Sequence, residues 1–219
     1  PVSRTADVLG MTNYEDLVDA TLRHGLMPMV VPELKTITLG GAVTGLGIES
    51  TSFRNGCPHE SVVDFDVLTG DGRVLTVTKE GPQAQLFSGF PNSYGTLGYA
   101  LRLRIELDPV KPFVALEHYP HHSHGDAART IAEVAESREH RGRRVDFLDG
   151  VVFGPDQIII TVGRFVDEAP YVSDYTRSKI YYRSLEHRSS DYLTVRGYLW
   201  RWDTDWFWCS GALGVQNPL

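Results

Sequence analysis

Cysteine is scarce in this chain: only Cys57 and Cys209 occur, with no CxxC spacing and no matching histidine set around them. That excludes zinc ribbons and dithiol redox motifs, and two reduced thiols of a cytoplasmic protein are the expectation. Positive charge is also short. Lys and Arg number 21 against 28 Asp and Glu, a formal net charge of −7, a poor balance for nucleic acid, whose binding depends on neutralising phosphates. Long apolar runs are missing. The best candidates, GLMPMVVPEL and QIIITVGRFV, are broken by proline, glycine or charge and fall short of the ~18 residues of a membrane span. No secretory or Arg-rich leader is seen. There is no Gly-Lys-Ser/Thr phosphate loop and no G-x-S-x-G elbow, so P-loop and serine-hydrolase readings fail.

What is present is ordinary globular material: 219 residues, 42% hydrophobic and 22% charged, enough for one large domain or two small ones. The residues Thr12 to Glu15, TNYE, read as a capping box. Leu17, Val18, Thr21 and Leu22 follow at helical spacing, Gly25 is a natural stop and Pro28 forbids continuation, which predicts a helix of about three turns. SVVDFDVLTGDGRVLTVT predicts strand, turn and strand, with Gly70-Asp71-Gly72 as the turn. In LGYALRLRIELDPV the residues Tyr99, Leu101, Leu103, Ile105 and Leu107 alternate with charge, the pattern of a half-buried strand. Character changes near Pro112. FVALEHY predicts a strand, then Ala127, Ala128, Ile131, Val134 and Ala135 form one helical face, and two strands flank Gly154-Pro155-Asp156. The fold class is therefore α+β, with antiparallel sheets and flanking helices. The expected division is residues 1–111 and 112–219. Lys179 to Leu219, dense in Tyr and Trp, resists assignment.

The most informative stretch is TITLGGAVTGLGIESTSFRNG, Thr36 to Gly56. Glycine supplies no packing surface and costs entropy, so a cluster marks either sharp turns or backbone laid against something that side chains would displace. The pair in GLGIES starts a dinucleotide fingerprint but does not finish it. Ser50 stands third, and TSFRNGCPHE after it is too broken by β-branching, glycine and proline to open a helix. The expectation is an extended run whose backbone N–H groups cradle a pyrophosphate without a helix. Gly41 and Gly47 would then take positive φ or meet the ligand closely. Turns between strands remain the alternative.

With VVPELKTITLGGAVTGLGIESTSFRNGCPHESVVDFDVLTGDGRVL and then LFSGFPNSYGTLGYALRLRIEL, the chain resembles the FAD-binding (PCMH-type) domain of vanillyl-alcohol-oxidase-type flavoproteins. Within that superfamily it is most similar to the Δ24-sterol reductase, or diminuto-like, branch. The resemblance implies that residues 1–111 are the second half of an FAD-binding domain and 112–219 the start of a substrate (cap) domain. Such a fragment lacks the earlier phosphate-binding loop and the C-terminal end. The implied activity is hydride transfer through a non-covalently held FAD, reducing a sterol-like alkene, with a lipid-like substrate. A flavin oxidase acting on an alcohol or sugar, or a non-catalytic binding remnant, is the alternative. By the same resemblance the cofactor would be lined by Thr38, Leu39, Gly40, Gly41, Ala42, Val43 and Thr44, continuing through Gly45, Leu46, Gly47, Ile48, Glu49 and Ser50, and by Ser52. Gly95, Gly98 and Tyr99 would lie near its ADP half. Arg54 would stand on the substrate side of the ring, where a guanidinium stabilises charge on a reduced flavin; the other reading is a surface salt bridge.

Two further groups invite a function. His118, His121, His122 and His124 lie close in sequence, but neighbours on one strand-to-helix connection do not converge on a tetrahedral site, and no metal is expected. Ser123 or Asp126 reads as the cap of the next helix. Tyr192, Tyr198, Trp200, Trp202, Trp206 and Trp208 suit either a core or a pocket for a flat apolar substrate. Tyr198, with its phenol, is the substrate-facing candidate among them. No catalytic acid or base stands out.

Overall fold

A computed structural model describes residues 3–177 and 179–205; Trp206, Trp208 and Cys209 lie outside the described residues. The described chain is α+β and divides into two compact units. One comprises residues 1–49 and 55–110, the other 50–54 and 111–219.

The first unit begins with β1 (Thr5–Leu9), α1 (Tyr14–Leu22) and β2 (Leu26–Pro28), followed by α2 (Leu39–Gly45). The one-turn α3 (Ser52–Asn55) crosses from the second unit, and a 3₁₀ turn (Pro58–Ser61) leads into β3 (Val62–Leu68). Then come β4 (Val74–Thr78), α4 (Ala84–Gly89) and β5 (Tyr99–Pro109). The sheet is antiparallel in the order β1-β5-β3-β4, with β2 also on β5. Val8, Phe65, Val67, Val77, Leu103, Ile105 and Leu107 are its buried side chains. The opposite face is charged: Arg102 meets Asp7, Asp64 and Asp66, each at 2.7 Å.

Three local expectations change. The cap of α1 is Asn13, whose side chain accepts from Asp16 N at 2.8 Å, because the strand-to-helix turn places Thr12 one residue too early. Tyr99 and Leu101 are 71% and 41% exposed, since the alternation of β5 runs on past the end of the layer that covers it. The glycine segment is not wholly extended, because Leu39–Gly45 is helical. The Thr38 hydroxyl accepts from Gly41 N at 3.2 Å, Thr44 Oγ1 donates to Gly40 O at 2.9 Å, and Leu39, Ala42 and Val43 are buried. A cap and one apolar face thus override poor propensity, about 1 kcal/mol for each interior glycine. None of Gly40, Gly41, Gly45 or Gly47 takes positive φ; Leu46 does, at 60°.

The second unit consists of β6 (Phe113–His121), α5 (His124–Ser137), a short hairpin of β7 (Glu139–His140) and β8 (Arg143–Arg144), then β9 (Phe147–Gly154) and β10 (Gln157–Val166). After these come α6 (Tyr181–Ser184), β11 (Ser190–Thr194) and α7 (Val195–Leu199). Its antiparallel sheet has the order β11-β6-β10-β9. Ser123 caps α5, accepting from Asp126 N. Ala127 packs with Ile158 and Ile160, and Val134 with Val145 and Val162, while Ala128 and Ile131 are exposed. The helix lies on its sheet along a narrow stripe, so only part of the sequence-apolar face is used. Phe147, Leu116 and Val114 crowd Gly163, where a Cβ would press on all three.

Candidate functional site

In the first unit the glycine segment is held between two turns. Gly40 N donates to Gly10 O at 2.9 Å, and a Cβ on Gly40 would stand 2.9 Å from that same oxygen. Gly10 in turn admits no Cβ, because the carbonyl oxygen of Ala100 occupies its place at 1.9 Å. On the other side Tyr94 N donates to Thr44 O at 3.0 Å. The turn that follows uses positive φ at Asn92, Tyr94, Gly95 and Gly98. Gly98 is also needed for packing, since a Cβ would meet Leu68 O at 2.4 Å.

The remaining glycines have no such reason. A Cβ at Gly45 would meet nothing within 4 Å, one at Gly47 only Glu49 Oε1 at 4.0 Å, and one at Gly41 only the Thr38 hydroxyl at 2.9 Å. Helical glycine costs about 1 kcal/mol relative to alanine, and the protein's own packing neither fills Gly45 and Gly47 nor requires them bare, whereas a Cβ at Gly41 would displace the capping hydroxyl. They form a cradle open on the side away from the core. Among the described residues of this unit, every exposed large apolar side chain apart from Val63 and Val74 belongs to the three joined segments: Leu9, Met11, Leu46, Ile48, Tyr94, Leu97, Tyr99 and Leu101. Ser93, on the adjoining turn, has a buried hydroxyl without a hydrogen-bond partner. Bare backbone, an orphaned hydroxyl and an apolar margin suit a ligand with both polar and flat apolar parts. Behind the cradle, burial raises the Tyr14 phenol above its ordinary pKa, and the charge of Glu49 adds to this.

Thr38 through Glu49, with Gly95, Gly98 and Tyr99, therefore lie in one unit. Within it the hydrogen bond between Tyr94 and Thr44 joins the first group to the turn that carries Gly95 and Gly98. Ser50, Ser52 and Arg54 belong to the other unit. There Ser50 O accepts from Leu148 N at 2.8 Å, Phe53 packs against the Val134, Val145 and Val162 cluster, and Arg54 Nε donates to Asp146 O at 3.0 Å. Arg54 is half-buried and donates to a backbone carbonyl. Tyr198 does not face a substrate. It is 1% exposed, its ring lies 4.4 Å from Phe147 and the Arg201 guanidinium stands 3.8 Å above it. Trp200 and Trp202 are likewise buried, so packing is what these aromatics do. Among the described residues no cluster of His, Cys, Asp or Glu is placed to hold a metal.

Sequence reasoning missed a polar row on the sheet of the second unit. His118, Thr161 and Asp149 stand in register across β6, β10 and β9. His118 Nδ1 is 2.9 Å from Thr161 Oγ1, and Arg201 pairs with Asp149. The lone Thr in QIIITVGRF, facing a His across the sheet, is its only trace in the sequence.

Residues 1–78 match the FAD binding domain family. Delta(24)-sterol reductase of Pisum sativum is 27% identical over 168 residues, which is 74% of this chain and 30% of that protein. The Homo sapiens delta(24)-sterol reductase is 26% identical over 191 residues, 82% of this chain and 36% of the relative. Cytokinin dehydrogenase 5 of Oryza sativa subsp. japonica is 32% identical over 158 residues, 70% of this chain and 28% of the relative. The chain spans about a third of the length of these relatives. The match over residues 1–78 indicates FAD as the cofactor.

Proposed function

We propose that the protein containing this chain is an FAD-dependent oxidoreductase that moves hydride between the flavin and a lipid-like substrate, reducing an isolated alkene. The open glycine cradle of α2, inside the FAD-matched residues, carries this reading. FAD supplies hydride chemistry, and the polypeptide supplies binding, orientation and exclusion of water. In this reading Gly41, Gly45 and Gly47 let the backbone approach the pyrophosphate, and the Ser93 hydroxyl donates to an oxygen of the cofactor. The exposed apolar margin receives the flat rings. Arg54 is held by the Asp146 carbonyl within the second unit. The relatives named sterol reductases support the alkene and the lipid class of substrate. The relative named a cytokinin dehydrogenase favours a second reading, oxidation of a small substrate on the same scaffold.

Expression of the complete encoded protein tests both. A yellow preparation with absorbance near 450 nm, about where oxidised flavins absorb, is the expected result, and acid precipitation should release the colour into the supernatant. A colourless protein that takes up no added FAD would leave only a non-catalytic binding role. Colour retained on the pellet would refute non-covalent binding. Anaerobic loss of the 450 nm band (roughly the flavin band) on addition of an external hydride donor, and its return with an alkene lipid, separates reductase from dehydrogenase.

A further inference from the structure

The sheet of the second unit ends in two edge strands, β11 and β9, and they are protected differently. Along β11 a strap of chain lies outside the strand. Ser173 N donates to Tyr192 O at 2.8 Å, and the Ser173 hydroxyl donates to fully buried Asp191 at 2.7 Å. An edge covered in this way offers no template to another chain. On the outer side of β9, among the described residues, one backbone bond is made: Leu148 N donates to Ser50 O at 2.8 Å.

Successive residues of an antiparallel strand turn their backbone polar groups to alternate sides. Leu148 N faces away from β10, and the register is unbroken from Leu148↔Val162 to Val152↔Ile158. Gly150 and Val152 therefore also point their N–H and C=O groups outward. Neither has a partner on that side among the described residues. Gly150 is exposed, and Val152 is 62% exposed. The strand, FLDGVVFG, contains none of the proline or lysine that commonly blunts an edge. Its one charged residue, Asp149, is held by Arg201. The bulge of the β9–β10 pair lies past the open residues, at Gln157/Ile158.

We propose that β9 is the contact between two copies of this protein, paired antiparallel across a two-fold axis at Val151. This register sets both open residues of one copy against both open residues of the other. Gly150 lies opposite Val152 and Val152 opposite Gly150, and each such pair exchanges two hydrogen bonds. An axis at Gly150 would set Val152 against Leu148, whose N–H is already taken by Ser50. An axis at Val152 would set Gly150 against Gly154, where the strand ends. With the axis at Val151, that valine meets its own copy, a β-branched pair suited to a sheet, and Asp149 meets Phe153 rather than a second carboxylate. An identical strand is thus matched in hydrogen bonds and in charge. Weak, transient interfaces bury less than about 1,200 Å², and a strand pair of this length belongs with them. The dimer should be reversible, with dissociation in the micromolar range.

Sedimentation velocity of the complete protein, from low to high micromolar concentration, tests the contact. A reversible passage from monomer to dimer is expected. Val152→Pro removes an outward N–H at an edge, where proline is tolerated, and should weaken the dimer about tenfold or more without lowering the thermal midpoint of the monomer. Val152→Lys keeps the N–H and should weaken the dimer by placing charge on the edge. Val151→Cys should give a covalent dimer on mild oxidation with diamide, and Val152→Cys far less, because residue 151 is the one that meets its own copy. The parent protein, with Cys57 and Cys209, supplies the background. If Val152→Pro fails to fold, Val152→Lys and the two cysteine variants decide. The proposal is overturned by a complete protein that stays monomeric, by a dimer that neither Val152 variant weakens, or by equal cross-linking at 151 and 152. Slow hydrogen exchange at Gly150 and Val152 in the monomer overturns it too, since another part of the same polypeptide would then be paired with β9.

Discussion

Arg54 is held through its guanidinium, whose Nε–H donates to the Asp146 carbonyl at 3.0 Å. Arg54→Met should lower stability by about 1 kcal/mol through the lost bond. If Arg54 also faces the flavin, it should slow a flavin half-reaction far more, by roughly 100-fold or above. Chemical denaturation and stopped-flow absorbance measure the two effects separately, and a rate change below about fivefold, equivalent to 1 kcal/mol, would confine Arg54 to its structural bond. His118 makes a second residue-scale prediction. Burial is the main cause that lowers its pKa to about 4 from the ordinary 6.5. The unfolded chain therefore takes a proton near pH 6.5 that the folded chain refuses until about pH 4. The stability is complete above pH 6.5 and drains away as pH falls through that window, by about 3 kcal/mol in all. Replacing both partners, as His118→Phe with Thr161→Val, should flatten the thermal midpoint between those pH values. An unchanged slope would assign the loss to other groups.

At the scale of elements, α2 pits propensity against use. Its seven residues include Gly40, Gly41 and Gly45, and only Gly40 is demanded by the neighbouring turn. Gly45→Ala meets no atom within 4 Å, so the helix should gain up to about 1 kcal/mol, while a Cβ intrudes where FAD is proposed to lie. The expected outcome is a flavin-free protein at least as heat-stable as the parent but with reduced FAD retention. Equal flavin content would mean that the cradle is not the cofactor site. The segment from Ser50 to Arg54 carries the opposite message. Although it directly follows α2 and Glu49, it takes its hydrogen bonds and packing from the second unit.

For the molecule as a whole, that exchange of segments means the two units are not simple consecutive halves of the chain. Phe53 fills space beside Val134, Val145 and Val162 although about eighty residues separate it from the nearest of them in sequence. Phe53→Ala should therefore destabilise the second unit by about 2–3 kcal/mol, below the cost of a fully buried ring. Residues 111–219 expressed alone should be similarly weakened and regain stability when a peptide spanning 50–54 is fused to them. Hydrogen exchange in β9 and β10 reports the effect, and unchanged protection in the Phe53→Ala protein would show that the strap contributes nothing.

Much of this was legible in the linear sequence, and for identifiable reasons. Alternation in β5, the Gly70–Gly72 turn, the Gly154–Asp156 turn, the apolar face of α1 and the existence of α5, though not the full width of its face, are periodic, local signals that need no partner to be read. The glycine segment stood out by composition, which left cradle and turns open, and the cofactor class followed from the resemblance to a flavoprotein family. The exposed end of β5 was not readable, because what covers a strand is decided by elements distant along the chain. The helical state of α2 was likewise a tertiary outcome, in which buried Leu39, Ala42 and Val43 overcame three glycines. Burial of Tyr198 beneath Arg201, and the row joining His118, Thr161 and Asp149, arose from register across three strands. The sequence by itself determined the elements, which depend on short-range pattern, and the cofactor family, through motifs that occur in order along the chain. Which glycines stay open, which arginine is anchored and which histidine is buried were decided only by the tertiary structure, because burial and pairing are properties of neighbours that the chain brings together by folding.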